Sequence, residues 1–343
     1  MEKNLIDVCL GRIKADLVVK CKSMLNVFSG EILDDISIAV KGDKIAYVGK
    51  NAETMMGTGT EVLKISDGTA VPGLIDAHTH MDMLCTPTEQ AKHMLIHGTT
   101  TIFAEPDELT SVMGFEGFKT FVKETEKLPL KVYVTIPLAV PQDPKLSSVK
   151  PLPISAYKEA LTWSNIIGLG ETVAWTLMLD KDSHYIEKFK LAIEKGKLIE
   201  GHTAGARNAK LAACVCAGIS SCHEAINPEQ ALERLRLGIF LMIREGSVRR
   251  DLTAILPDLV QRGIDLSNAA LVSDWVDPLD LKELGYMDYI IDKAVEYGLD
   301  PVKAIQMVTI NPARHFRMDQ LIGSIAPGRY ADITVLKSLN RPK

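Results

Sequence analysis

From residue 73 to residue 273 the chain alternates between apolar runs of about five residues and amphipathic stretches with helical spacing, the pattern of βα units that build a parallel sheet. Eight such runs stand out: Gly73–Ala77, Thr100–Ala104, Lys131–Ile136, Ile166–Gly170, Leu198–Gly201, Ile219–Cys222, Ile239–Ile243 and Ala269–Ser273. Helical segments such as "TEQAKHMLIH", "SHYIEKFKLAIEKG", "PEQALERLRLG" and "LTAILPDLVQRG" follow them, several ending at or beside a glycine that can take the left-handed cap conformation. The period predicts an α/β fold, a (β/α)8 TIM-type barrel. The flanks read differently. Short β runs occupy 15–20, 36–49 with a turn at Gly42-Asp43, and 61–66, and another patch runs from Gly323 to Lys337. Neither patch alone has enough strands to bury two faces. Both are therefore predicted to meet in a small β-sandwich domain, 1–70 plus 322–343, beside a metal-dependent barrel domain spanning 71–321.

Composition narrows the class. The 343 residues are 46% hydrophobic and 24% charged, ordinary for a globular enzyme. A net charge of -5, with basic residues scattered except for short groups such as "SVRRD", excludes a phosphate-backbone footprint, so no nucleic acid polymer is expected. Six cysteines without a CxxC pair, and charged first residues, point to a reducing, cytoplasmic setting. Apolar windows fall short of the roughly 18–20 residues that span a bilayer, so no membrane partner is expected.

The barrel reading carries its own test, because active sites of this fold lie at the C-terminal strand ends. The residues just past the apolar runs are His78 and His80, then Glu105 with Asp107 and Glu108, then Pro137, Glu171, His202, His223 with Glu224, Arg244 with Glu245, and Asp274. Only the third strand lacks a charged or metal-competent group. His78 and His80 sit two apart, so strand alternation points both the same way and lets them share one metal. An isolated HxH is more often a backbone-bonded pair; with His202, His223 and Asp274 at matching positions the ligand reading wins. Glu171, after two glycines in "IIGLGE", could be only a helix N-terminal acid, yet a carboxylate there can also bridge two cations. Asp274 could be a helix cap, but Asp277 in "DPLDL" is available for that job. Any of Glu105, Asp107 and Glu108 could face substrate or simply be solvated. Cys222 reads as a small buried filler and His315 as structural.

Imidazoles and carboxylates without thiolates suit Mn, Fe(II) or Zn, and six candidate ligands (His78, His80, Glu171, His202, His223 and Asp274) exceed the need of one tetrahedral ion. Two divalent ions lower the pKa of bound water and polarise an electrophile, which predicts hydrolytic attack on a C=N or C=O carbon. Asp274 would take the water's proton and pass it to the leaving nitrogen.

The motifs "PGLIDAHTH", "HGTTTIFAEPDE", "GLGE", "GHTAG", "SCHEA", "RLRLGIFLMIREGS", "SDWVDPLDLKELGYMD" and "GSIAPGRYADITVL" resemble the amidohydrolase superfamily and, within it, the adenine deaminases, from about Asp16 to Leu336. The resemblance implies adenine plus water giving hypoxanthine plus ammonia at a binuclear manganese or iron centre. It implies one ion on His78, His80, Glu171 and Asp274 and another on Glu171, His202 and His223, with Glu171 as the bridge. Glu108 is the second catalytic candidate; Glu105, Asp107, Arg244 and Glu245 are the candidates for holding the ring. The expected partners are a purine base and further copies of the chain. The sequence departs from the family at Glu105 and Asp107, where a shorter acid and a histidine are expected, and at Trp275 beside Asp274. It also lacks the further C-terminal segment usual in adenine deaminases. The alternatives are a different cyclic amidine or amide hydrolase, or a non-catalytic or partner-dependent relative.

Overall fold

A computed structural model describes residues 3–141 and 145–341, so the outermost residues assigned to the small domain, 1–2 and 342–343, lie outside it. The chain-end sheet contains β1 (Leu17–Leu25), β2 (Ile32–Lys41), β3 (Lys44–Gly49), β4 (Glu61–Ile65), β5 (Thr69–Pro72) and β14 (Ile333–Leu336). Its order is β14-β5-β1-β2-β3, with β4 also pairing parallel to β1. The expected sandwich is thus one mixed sheet. Alternation along β1 sends Val19 and Cys21 into one apolar cluster and Val18 into another, so both faces of this sheet are covered. The helix Lys3–Cys9, which the β-rich reading of the first seventy residues did not include, brings Val8 into the second cluster.

Each of the eight predicted runs overlaps a strand: β6 (Leu74–Thr79), β7 (Thr99–Ala104), β8 (Lys131–Ile136), β9 (Ile166–Leu169), β10 (Leu198–Ile199), β11 (Ser221–Cys222), β12 (Phe240–Arg244) and β13 (Ala269–Val272). They form a five-stranded parallel sheet, β10-β9-β8-β7-β6, and a three-stranded one, β11-β12-β13. A parallel bridge between Thr79 and Asp274 joins the β6 and β13 edges. The β10 and β11 edges meet where the Ser220 amide donates to Ile199 O. Side chains from β6, β7, β12 and β13, including Ile75, Phe103, Met242 and Val272, fill an inner apolar cluster, while helix-facing residues such as Leu74, Ile102 and Leu241 join a larger outer one. The helical stretches form as predicted, and Gly238 and Gly263 follow two of them at φ 77° and 66°, where a Cβ would be strained.

The run "VPGLIDAHTH" divides at Gly73. Val71 and Pro72 belong to β5 and pair with β14, while a Cβ on Gly73 would lie 2.1 Å from Thr100 Oγ1. This close approach lets the chain-end sheet pass directly into the first strand of the inner layer. No helix among the described residues is long and apolar enough to cross a membrane.

Candidate metal centre

Strand β6 does not deliver its histidines by uninterrupted alternation. Ile75 and Ala77 point into the inner cluster, and the register slips between Asp76 and Thr79, so His78 and His80 also turn inward. Asp76 keeps the outward direction. There it is fully buried, accepting from Ser273 Oγ at 2.5 Å, Tyr286 OH at 2.6 Å and the His78 amide at 3.2 Å. This network ties β6 to the end of β13. The adjoining Asp274 takes a left-handed φ of 62°, its amide donating to His78 O at 3.0 Å while its own carbonyl accepts from the His80 amide at 2.8 Å.

Glu171 stands at the middle. Its Oε1 lies 2.8 Å from His80 Nε2 and 3.9 Å from His78 Nε2, and its Oε2 contacts His202 Nδ1 closely and His223 Nε2 at 3.4 Å. Asp274 Oδ1 is 3.2 Å from His78 Nε2 and 3.8 Å from His80 Nε2. All six predicted ligands therefore converge. The two glycines before Glu171 serve close packing: a Cβ on Gly170 would sit 2.2 Å from Glu105 Oε2, and one on Gly168 would sit 2.2 Å from Leu198 O.

The electrostatics follow from this crowding. Burial opposes ionisation of Glu171, but hydrogen bonds from His202, His223 and His80 outweigh it and hold the carboxyl well below its usual range. Burial also opposes charge on His80 and His202; their carboxylate partners prevail, raising His80 well above the usual imidazole value and His202 to about 9. His223, fully buried and stacked on His78 at 3.9 Å between ring centroids, is lowered to about 4 by burial and by that neighbour. Against its burial, Asp274 is held far below the ordinary carboxylate range by His78 and His223.

Three groups around this centre offer ligand atoms within 4.8 Å of one another: His78 with His80 and Asp274, His78 with Glu171 and His223, and His202 with His223 and Glu224. His202 Nδ1 and His223 Nε2 lie 3.2 Å apart and converge on one oxygen of Glu171. Imidazole nitrogens gathered around an ionised carboxylate form, once deprotonated, a donor set suited to a divalent cation, so these residues fit a metal.

The remaining candidates divide. Arg244 points inward, contacting Glu224 closely, Asp251 at 2.9 Å and Asp274 at 3.4 Å. Glu245 follows the opposite phase of β12 and lines a separate cavity with Tyr286 and Tyr289, so it does not join the ligand group. Glu105 stands behind His78, hydrogen-bonded to Thr135 and 3.9 Å from His78 Nδ1. Glu108 is 3.1 Å from His80 Nδ1 and, with Asp107, lines a cavity of about 540 Å³ that also includes Ser111 and Ser147. Burial and the charge of Glu171 push Asp107 well above the usual carboxyl range. Asp277 caps the next helix by accepting from the Leu279 amide at 2.8 Å, which leaves Asp274 free for the centre. Cys222 is buried away from the ligands against Arg234, and His315 pairs with Glu200 at 3.0 Å.

Two participants escaped the ligand set inferred from sequence. Glu224, beside His223, reaches the His202 and Arg244 side chains; Asp82 groups with His80 and Glu108. Both directly follow or lie two past a predicted ligand, and that proximity was the available signal.

Residues 69–342 match the Amidohydrolase family. The chain is 39% identical over 98% of its length to an adenine deaminase of Cenarchaeum symbiosum, covering 55% of that protein, and 41% identical over 99% of its length to one of Moorella thermoacetica, covering 57%. It thus spans little more than half the length of the curated relatives it matches. Among solved structures, an adenine deaminase shares the fold with a TM-score of 0.70 at 17% identity, covering 94% of this chain and 90% of that one. A zinc-bound adenosine deaminase from Xanthomonas campestris gives 0.68 at 15%, covering 94% and 85%.

Proposed function

The chain belongs to the amidohydrolase family, and from that premise we propose that it is a metal-dependent hydrolytic deaminase converting adenine and water to hypoxanthine and ammonia. The observation that carries this reading is the convergence of His80, His202 and His223 on the two oxygens of an ionised Glu171. In this proposal the eight parallel strands act as one (β/α)8 barrel over 71–321, with the chain-end sheet as its companion domain. One divalent ion would be held by His78, His80, Glu171 and Asp274, and a second by Glu171, His202 and His223, manganese or ferrous iron being favoured over zinc. Such ions, when bound, supply Lewis acidity and bring water's ionisation toward neutral pH.

The protein's own part is positional and protonic. Asp274, ionised and steadied by Arg244, accepts a proton from the attacking water and returns one to the leaving nitrogen. Glu108 sits between His80 and the 540 Å³ cavity, where it can exchange a proton with a ring nitrogen. Asp107 in that wall, kept uncharged by burial, can donate a hydrogen bond to the ring.

The test is ammonia release from adenine by protein reconstituted separately with Mn, Fe(II) and Zn. Stoichiometric hypoxanthine and ammonia support the reading. Ring opening of another cyclic amidine or lactam without ammonia from adenine would replace it with a different hydrolase of the family.

A further inference from the structure

Arg234 is fully buried, yet among the described residues none of its hydrogen-bond acceptors is a carboxylate. Its Nε donates to Cys222 Sγ at 3.1 Å, its Nη1 to Gln230 O at 3.2 Å, and its Nη2 to Thr203 O at 2.9 Å, with Thr203 Oγ1 3.4 Å from the same nitrogen. A guanidinium withdrawn from water without an anionic partner carries a desolvation cost that an apolar side chain of similar length would not. What the position uses is the fork of donors, and the fork joins two particular segments. Thr203 directly follows His202, and Cys222 directly precedes His223.

The seam between those segments is thinly knit by backbone. β10 and β11 are edges of the two separate parallel sheets, meeting where the Ser220 amide donates to Ile199 O at 3.0 Å. Across the centre, by contrast, Thr79 and Asp274 form a bridge, and backbone bonds run from the Asp274 amide to His78 O and from the His80 amide to Asp274 O. His78, His80 and Asp274 thus inherit their spacing from the main chain. His202 and His223, whose Nδ1 and Nε2 stand 3.2 Å apart, rely more on side chains. Thr203 Oγ1 donates to Cys222 Sγ at 3.0 Å, beside the Arg234 bonds. The helix Pro228–Arg236, which carries Arg234, also holds the far end of the His202 loop: Glu233 accepts from the Arg207 side chain and from the Asn208 amide at 2.5 Å. Another tie, from Ser221 Oγ to Glu200 Oε2 at 2.6 Å, lies two residues before each ligand, whereas Arg234 grips the residues adjoining them.

We propose that Arg234 is a positioning residue: acting through Thr203 and Cys222, it sets the separation of His202 and His223 and so the affinity of the ion that those histidines would hold with Glu171. This rests on the two-ion centre proposed above and is independent of which ring the centre attacks. Loss of such outer support weakens metal binding by about 10–100-fold.

The experiment titrates manganese into the chelator-stripped full chain in competition with a chromophoric chelator. It compares the parent, Arg234→Met, Arg234→Lys, His202→Ala, and His202→Ala combined with each Arg234 substitution. The parent is expected to bind two ions. Arg234→Met is expected to weaken one of them at least about tenfold and to leave the other within about twofold. Arg234→Lys keeps the buried charge, so it guards against simple unfolding, but one ammonium lacks the planar fork that reaches both loops; it should weaken the same ion by at least about threefold. Because His202→Ala already disables that ion's site, adding either Arg234 substitution should change binding of the remaining ion by less than about twofold. Parent-like affinity for both ions in a variant that still unfolds cooperatively in urea, equal weakening of both ions, or a further loss in the His202→Ala background would each overturn the positioning role. A parent chain that takes up fewer than two ions would instead overturn the two-ion centre, and this inference with it.

Discussion

Replacing Arg244 by methionine removes the one cation that Glu224, Asp251 and Asp274 share. The Arg244 side chain is 2% exposed and its three partners are 9%, 13% and 17% exposed, so solvent screens this cluster little. Methionine fills similar length but leaves three carboxylates facing one another. Breaking a buried pair by removing one member costs about 3–5 kcal/mol, and we expect a loss in that range at pH 7. The pH dependence gives the sharper test. In the parent chain Glu224, despite its burial, is held below the ordinary carboxyl value by His223, His202 and Arg244, so its stabilising contribution is complete above the unfolded pKa and is lost as pH falls through the lower folded value. Without Arg244 that folded value rises, protons are taken up at milder acidity, and the repulsion is relieved. The stability difference between variant and parent should therefore shrink from pH 7 to pH 4.5. Urea denaturation of the chelator-treated chain at both pH values measures it. A loss below about 1 kcal/mol at pH 7, or one that is the same at both pH values, would falsify this account of the Arg244 cluster.

Further outcomes are expected elsewhere. Burial lowers Lys188 to about 8, with its Nζ 3.0 Å from Leu138 O, so stability should climb between pH 8 and pH 10 as the folded chain no longer bears a buried charge. The effect is on the order of 3 kcal/mol, and Lys188→Met should flatten that part of a denaturation-versus-pH curve. Glu171→Gln should reduce bound metal, read by elemental analysis after dialysis against Mn, at least tenfold; unchanged stoichiometry would remove Glu171 from the ligand set. Tyr286→Phe deletes a hydrogen bond to buried Asp76 and should cost about 1.5–3 kcal/mol in chemical denaturation. Gly170→Ala forces a methyl group against Glu105 and should cost about 1–3 kcal/mol, with folding retained, as judged by circular dichroism.

What could be read in the sequence was whatever a local period carries. The eight apolar runs announce β6 to β13 because buried parallel strands need nearly continuous apolar side chains, and the ligands follow because this architecture gathers strand ends. Information held between strands was not legible. The slip after Asp76 depends on how β6 pairs with β7, so alternation reached the right common face for His78 and His80 without revealing that Ile75 and Ala77 share it. Glu245 was grouped with Arg244 by adjacency, yet adjacent strand residues face opposite ways. The glycines of "GLGE" suggested a sharp turn, whereas their need arises from Glu105 and Leu198, distant in sequence. Pairing of β5 with β14 joins residues as far apart in sequence as Thr69 and Leu336, so Val71-Pro72 could not be separated from the ligand strand by inspection.

That last pairing bears on how the molecule is made. The strand carrying His78 is clasped at its start by residues far later in the chain: the Gly73 amide donates to Asp332 O at 2.9 Å, and Thr334 Oγ1 donates to Gly98 O across 236 positions. A nascent chain emerging from the ribosome can collapse its βα units in order, but its first ligand strand waits for β14. Such long-range closure slows folding and lengthens the interval in which an unfinished sheet edge is exposed. Completion of the metal centre therefore waits on β14, however early the βα units collapse.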